Sequence, residues 1–161
     1  IEVTQDSVRK TLEITYQNNA NPVLGPSGRY KTYTRALVSP TVEVTSVELQ
    51  EADEHKSLDY NEDYIKGRKE IGVLLELAAG DSKKIIFSLQ EPSNLSLDNK
   101  GEYRLYVRKQ AGTDEDPISI SFKFPPDLNY TFIPEAFLTK PGVYSYNTKV
   151  SRDIFSRISF E

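Results

Sequence analysis

Tyrosine and arginine side chains at alternating positions of two predicted strands are the residues best suited to binding. In the run EYRLYVRK, the alternation places the arginines and the second tyrosine on the face opposite the apolar side chains. The run RYKTYTRALVS is rich in Tyr, Thr and Val, which favour strands. If the two strands are neighbours, their outward side chains form one surface. The candidate binding residues are Tyr30, Tyr33, Arg35, Arg104, Tyr106 and Arg108.

This tyrosine and arginine surface has two interpretations. Both residue types are enriched where proteins bind partners, so the surface could hold a sugar or an anionic cell-wall polymer. Alternatively, the rings and the arginine stems pair across strands on an ordinary sheet surface. The absence of tryptophan weighs against sugar binding by this surface.

An acidic segment, DYNEDYIKGRKE, has part of the spacing of a calcium-binding loop. Carboxylate and amide oxygens recur at positions 1, 3, 5 and 12, which suits a hard cation. Position 6 is Tyr64, where the sharp turn needs glycine. The alternative is a solvated acidic loop, as for Asp114 to Asp116, and we expect no obligatory cofactor. The candidate calcium ligands are Asp59, Asn61, Asp63 and Glu70.

Catalytic chemistry finds little support in the sequence. Cysteine is absent and His55 is the only histidine, surrounded by charged residues as in a solvated loop. A Ser–His–Asp triad would need His55 as its base, and no Gly-x-Ser-x-Gly turn accompanies it. No glycine-rich phosphate loop is present either. We therefore predict that the chain is not an enzyme.

Composition limits the partners and the organisation. The net charge is −4, with acids and bases mixed, so nucleic acid is not an expected partner. No apolar run is long enough to cross a membrane. A length of 161 residues suits a single domain over 1–161. Because methionine is absent, we expect this domain to be a fragment of a longer chain.

The elements that must position these side chains are strands. Residues 102–125 predict two strands joined by the polar loop QAGTDEDP, and residues 71–89 predict a second hairpin. The apolar alternation slips phase at Thr45 and Ser46, which indicates either a bulge or a strand that changes sheets. Residues 51–69 read as a charged excursion with a strand near Tyr64, and a helical turn at 51–56 is an alternative. Nine or ten strands in all predict an all-β fold, a loosely immunoglobulin-like β-sandwich.

Several segments together resemble a family of uncharacterised bacterial proteins. They are TLEITYQNNANP, GRYKTYTRALVSP, LELAAGDSKKIIFSLQEP, YRLYVRKQAGTDEDPISISFKFP and YNTKVSRDIFSRISFE. They look like the C-terminal extracellular domain, of unknown function, of membrane-anchored proteins. The chain departs from that pattern at Ala111, where proline is expected. The resemblance implies an extracellular cell-surface location, a membrane-anchored parent protein and a non-catalytic β-rich module.

These observations lead to two functional expectations. The first is a non-catalytic extracellular structural or protein-interaction module of a bacterial cell-surface protein. The second is a β-sandwich module that binds carbohydrate or a cell-wall polymer. In either case we expect function at the QAGTDEDP loop and at the face that carries Arg104, Tyr106 and Arg108.

Overall fold

The computed structural model describes residues 1–4, 6–21, 28–93, 101–109, 115–125, 129–134 and 137–160. The chain is all-β, with 72% strand and no α-helix in those residues. The described part contains no helix with the length and apolarity needed to span a bilayer. The strands are β1 (Glu2–Val3), β2 (Ser7–Gln17), β3 (Tyr30–Val38), β4 (Glu43–Glu51), β5 (Glu54–Ser57), β6 (Asn61–Ile65), β7 (Arg68–Leu77), β8 (Ser82–Pro92), β9 (Gly101–Val107), β10 (Asp116–Lys123), β11 (Tyr130–Ile133), β12 (Phe137–Lys140), β13 (Val143–Val150) and β14 (Ile154–Phe160).

The strand count is higher than the sequence predicts, because the described part of the chain alone has 14 strands in place of nine or ten. Five of the strands, β1, β5, β6, β11 and β12, are five residues long or shorter. Short strands show too few alternations to be recognised. In β5 and β6 every side chain is exposed, so no apolar face marks them in the sequence.

Contacts divide the chain into two compact units. The first contains residues 1–8 and 92–161, and the second contains residues 9–91. The buried apolar residues likewise form two clusters, one in each unit. A division of contacts does not test whether the two units fold together, so the single domain expected over 1–161 remains a prediction.

In the first unit, one sheet has the order β12-β13-β10-β1, followed by the first residues of β2, and a second sheet has the order β11-β14-β9. The buried cluster takes Phe122 from β10, and Tyr103 and Ile158 from β9 and β14. The rings of Tyr103 and Phe122 meet edge to face, with centroids 6.2 Å apart. Two sheets that bury their facing sides in this way are consistent with a β-sandwich.

In the second unit, one sheet has the order β2-β8-β4-β5 and the other has the order β3-β7-β6. Alternate residues of β7, from Ile71 to Leu77, are fully buried against Ile85, Phe87 and Leu89 of β8. The predicted bulge in β4 is confirmed by a register shift between Val44 and Ser46. That shift places residues on both sides of it in the same buried cluster.

Both predicted hairpins are wrong, although their strands exist. β7 pairs with β3 and β6, and β8 pairs with β4 and β2. Likewise β9 pairs with β14, and β10 pairs with β13 and β1. In each case the chain turns from one sheet to the facing sheet of the same unit. Two consecutive strands with matched apolar faces therefore face each other across a core instead of sharing hydrogen bonds.

The charged excursion at 51–69 forms strands β5 and β6, so the alternative of a helical turn at 51–56 is wrong. β5 folds back on β4 after Ala52, whose φ is 51°. β6 folds onto β7 through Lys66 and Gly67, with φ of 51° and 76°. Two consecutive positive φ values are what a two-residue type I′ hairpin requires.

Burial predicts a large difference between two phenylalanines of the first unit. Phe122→Ala empties a site that is 2% exposed and is expected to cost about 3–5 kcal/mol of unfolding free energy. Phe155→Ala, at a site 51% exposed on the outer side of β14, serves as the matched control and should cost about 1 kcal/mol or less. Urea denaturation followed by tyrosine fluorescence measures both, and equal losses would contradict this assignment of the core.

Candidate functional site

The outer side of the β11-β14-β9 sheet presents exposed aromatic and arginine side chains. Tyr106 lies directly opposite Phe155, and Arg104 lies directly opposite Arg157. Opposite residues of an antiparallel pair point to the same side, so these four share one surface with Ile133 of β11. Tyr106, Phe155 and Ile133 are each about half exposed. We call these five residues the Tyr106 face.

A single carboxylate connects the two arginines of the Tyr106 face. Arg104 Nε donates to Glu102 Oε1, and Arg157 Nε lies 3.6 Å from Glu102 Oε2. Like charges directly opposite each other are unfavourable on a sheet, and the shared Glu102 offsets that repulsion. Each guanidinium has more N–H donors than a shared carboxylate can satisfy. The face can therefore donate hydrogen bonds to an acceptor on a partner.

Asp153 fixes Tyr106 at one end of this face. Its Oδ2 accepts a hydrogen bond from the Tyr106 hydroxyl, and its Oδ1 accepts one from the Lys109 backbone N–H at 2.8 Å. The Tyr106 hydroxyl, and then the Lys109 N–H, hold the pKa of the Asp153 carboxyl below its usual value. The same bond to Asp153 raises the pKa of the Tyr106 phenol. Arg108 opposes that rise and is exposed beside the pair.

The outer side of the β3-β7-β6 sheet presents a second exposed surface. Tyr33 of β3 lies directly opposite Leu74 of β7, and the two are 46% and 63% exposed. Leu37 is 50% exposed on the same side. Ion pairs flank these residues: Lys31 Nζ lies 2.5 Å from Glu76, and Arg35 lies 3.8 Å from Glu70. We call these seven residues the Tyr33 face.

A glycine lets the Tyr33 ring lie flat on the sheet. Gly72 is directly opposite Arg35, next to the pair of Tyr33 and Leu74. A Cβ added at Gly72 would lie 1.9 Å from the Tyr33 hydroxyl and 2.5 Å from the ring carbon that bears it. The ring therefore occupies the space that a side chain would take, and it shields the backbone at this glycine.

Four of the six candidate binding residues lie on these two faces, and Tyr30 and Arg108 lie outside both. β3 pairs with β7 and β9 pairs with β14, so the two predicted strands belong to different sheets in different units. The condition that they are neighbours is therefore not met. Tyr33 and Arg35 lie on the Tyr33 face, and Arg104 and Tyr106 lie on the other. Tyr30, at the end of β3, lies opposite the buried Leu77.

The sequence did not predict the partner strands of the two faces, β14 beside β9 and β7 beside β3. Phe155 and Arg157 alternate with the buried Ser156 and Ile158 in DIFSRISF, so their outward position was readable from the alternation. Leu74 interrupts a buried run in β7 and was not assigned to a surface. For neither face does the alternation show which strands are hydrogen-bonded neighbours.

Three of the four candidate calcium ligands lie on the β6–β7 hairpin and Asp59 precedes it, so the turning loop of an EF-hand is not formed. Asn61 and Asp63 belong to β6, and Asp63 is directly opposite Glu70 of β7. Asp63 Oδ1 accepts the Tyr64 backbone N–H at 2.7 Å. Within the described residues, no group of three or more His, Cys, Asp or Glu side chains is arranged to hold a metal ion. Asp114, and the loop QAGTDEDP through residue 114, lie outside those residues.

His55 lies in a strand instead of a loop. It belongs to the exposed strand β5, and its Nδ1 is 3.2 Å from Glu48 Oε2 on β4. A shallow depression of about 410 Å³ lies in the same unit and is lined by residues that include Lys83 and Lys84. These two lysines already pair with carboxylates of Glu51 and Glu13, at 2.5 and 2.9 Å. Neither the surroundings of His55 nor this depression contains a candidate binding residue.

Comparison with known protein families finds no family model that matches the chain, and comparison with curated proteins finds no match to its sequence.

The contact between Gly72 and Tyr33 predicts a non-additive pair of substitutions. Gly72→Ala forces the ring to move and should cost about 1–3 kcal/mol through overpacking. In a Tyr33→Ala background the same change should be neutral or slightly stabilising, because alanine lowers the entropy of the unfolded chain. Urea denaturation of the four proteins in this cycle measures the coupling. Equal costs in both backgrounds would contradict the contact.

The bond between Tyr106 and Asp153 predicts a depressed carboxyl titration. NMR titration should give Asp153 a pKa below its ordinary value, and Tyr106→Phe should move that pKa upward. Because the folded-state pKa is lowered, the stabilisation is present above the unfolded-state pKa and is lost as pH falls through the folded-state pKa. As the reciprocal control, Asp153→Asn should lower the pKa of the Tyr106 phenol in an ultraviolet titration. Unchanged titrations would mean that the bond is absent in solution.

Proposed function

We propose that the chain is a non-catalytic extracellular module of a bacterial cell-surface protein and that it acts by contact with another protein. We further propose that its sheets form a β-sandwich of loosely immunoglobulin-like architecture. In this proposal the parent protein is membrane-anchored and belongs to the family of unknown function that the sequence segments resemble.

The single observation that supports protein contact is the Tyr106 face. Half-exposed aromatic and aliphatic side chains beside arginines have the composition of an interaction surface, because tyrosine and arginine supply much of the binding energy at protein interfaces. The side chains stand on paired strands, so little conformational entropy is lost on binding. Asp153 further holds Tyr106 in place before a partner arrives.

A second candidate function is binding of carbohydrate or a cell-wall polymer. The directly opposed Tyr106 and Phe155 favour it, since neighbouring rings on a flat sheet can stack against sugar faces. Arg104 and Arg157 could pair with carboxylate or phosphate groups of an anionic polymer. The two candidates use the same residues, so the choice between them rests on the ligand.

Co-sedimentation with insoluble peptidoglycan, together with a panel of immobilised glycans, separates the two candidates. Protein contact predicts no retention of the wild-type chain on either material. Retention that Tyr106→Ala or Arg104→Ala abolishes would replace the first candidate with the second. A substitution on β10 outside the face, Ser119→Ala, is the control, because it should leave any specific retention unchanged.

Site-specific photo-cross-linking tests protein contact directly. A photoreactive residue at position 155 of the parent protein, on intact cells, should give a discrete adduct with another protein. Excess wild-type chain should compete with that adduct, and the same group at position 119 should not form it. A position-155 label that gives no protein adduct would contradict the proposal.

A further inference from the structure

The Tyr33 face has an arrangement of charge that is complementary to itself. Where β3 and β7 pair, the outward charges on β3 are basic, Lys31 and Arg35. Those on β7 are acidic: Glu76 is partly exposed and Glu70 is 9% exposed. The exposed, basic Arg68 of β7 lies beyond the last residue pair of the two strands. Among the paired charges lie the exposed Tyr33, Leu37 and Leu74. Over this paired stretch the face is therefore divided lengthwise into a basic strand and an acidic strand, with Tyr33 and Leu74 between the charges.

A two-fold axis parallel to the strands, between β3 and β7, makes use of this division. Rotation about that axis places β3 of one copy over β7 of the other without changing the level along the strand. Lys31 then faces the second copy's Glu76, and Tyr33 faces its Leu74. A rotation about the perpendicular in-plane axis would instead place Lys31 over Arg35, which is unfavourable. Only the first operation brings unlike charges together.

We infer that the Tyr33 face is the interface of a symmetric homodimer of this chain. Two-fold dimers are the commonest oligomers, and their interfaces must be self-complementary in this sense. Aligned packing of two sheets, face to face, is a common way to cover exposed apolar side chains. The β6 strand contributes at the rim, where Asp63 points outward opposite Glu70 and carries further negative charge toward the basic strand of the second copy.

The size of the face sets the expected strength. The rotation superposes two strands, β3 and β7, of 9 and 10 residues, and leaves the five residues of β6 at the edge. From ordinary strand spacing and rise, these two strands cover roughly 10 Å by 30 Å, or roughly 600 Å² over both partners. An interface this small is in the range of weak, transient contacts, so the dimer should be weak and concentration-dependent. The ion pair of Lys31 with Glu76 is partly exposed and remains available to a second copy, whereas Glu70 of the other pair is only 9% exposed.

Sedimentation equilibrium of the chain from about 1 µM to 1 mM tests the inference. The wild-type chain should pass from monomer to dimer across this range. Leu74→Lys should weaken association by at least about tenfold, because it puts a charge at the centre of the interface. Leu12→Lys, at an exposed leucine of β2, is the matched control and should leave association unchanged. A monomeric wild-type chain throughout would overturn the inference and leave the face to a different partner.

A pair of charge-reversed chains provides the decisive experiment. One chain carries Lys31→Glu with Arg35→Glu, and the other carries Asp63→Lys with Glu76→Lys. In each chain alone, positions 31 and 76, which face each other across the interface, carry charges of the same sign. Each chain should therefore be monomeric at concentrations where the wild type dimerises. Mixed in equal amounts, they should form a heterodimer, because both halves of the interface again join unlike charges.

Thermal melts of both variants show whether each is folded before mixing. A loss of association caused only by unfolding would not be rescued by mixing, so recovery of the dimer identifies the interface. Reversed chains that still form homodimers, or folded chains that fail to associate on mixing, would overturn the inference. A wild-type dimer that Leu74→Lys leaves intact would overturn it as well.

Discussion

Burial of alternate side chains between two facing sheets is the interaction on which this structure depends. In the second unit Phe87 and Ile71 come from different sheets and are both fully buried in one cluster. In the first unit Phe122 and Ile158 do the same. Each strand can place only every second residue in such a layer, so the same alternation decides which residues must face outward. The core and the two exposed faces are therefore consequences of one constraint.

The sequence predicts the faces of strands better than it predicts their neighbours. Alternation in ISISFKF correctly indicates that Ile120, Phe122 and Phe124 are buried. It cannot show whether the preceding strand lies beside β10 or across the core from it, since both arrangements need a matching apolar side. Hydrogen bonding between strands uses backbone groups that every residue has, so pairing leaves little trace in residue type. The two predicted hairpins fail for this reason.

The same limit explains which residues of the candidate sites could be predicted from the sequence and which could not. Tyr33, Arg35, Arg104 and Tyr106 were correctly expected to point away from the core, because their parity is a property of their own strands. The surfaces that they belong to also need Leu74 and Phe155, which come from strands distant in sequence.

The type I′ turn at Lys66 and Gly67 was missed because lysine rarely adopts a positive φ. That turn converts the acidic segment into a hairpin edge.

The two exposed faces differ in a way that bears on their partners. On the Tyr33 face the charges are separated by strand, so a second copy can bring opposite signs together. On the Tyr106 face Arg104 and Arg157 lie on adjacent strands, and the same rotation would place arginine over arginine. The Tyr106 face is therefore unsuited to self-association of this kind and is better matched to a partner that supplies acceptors.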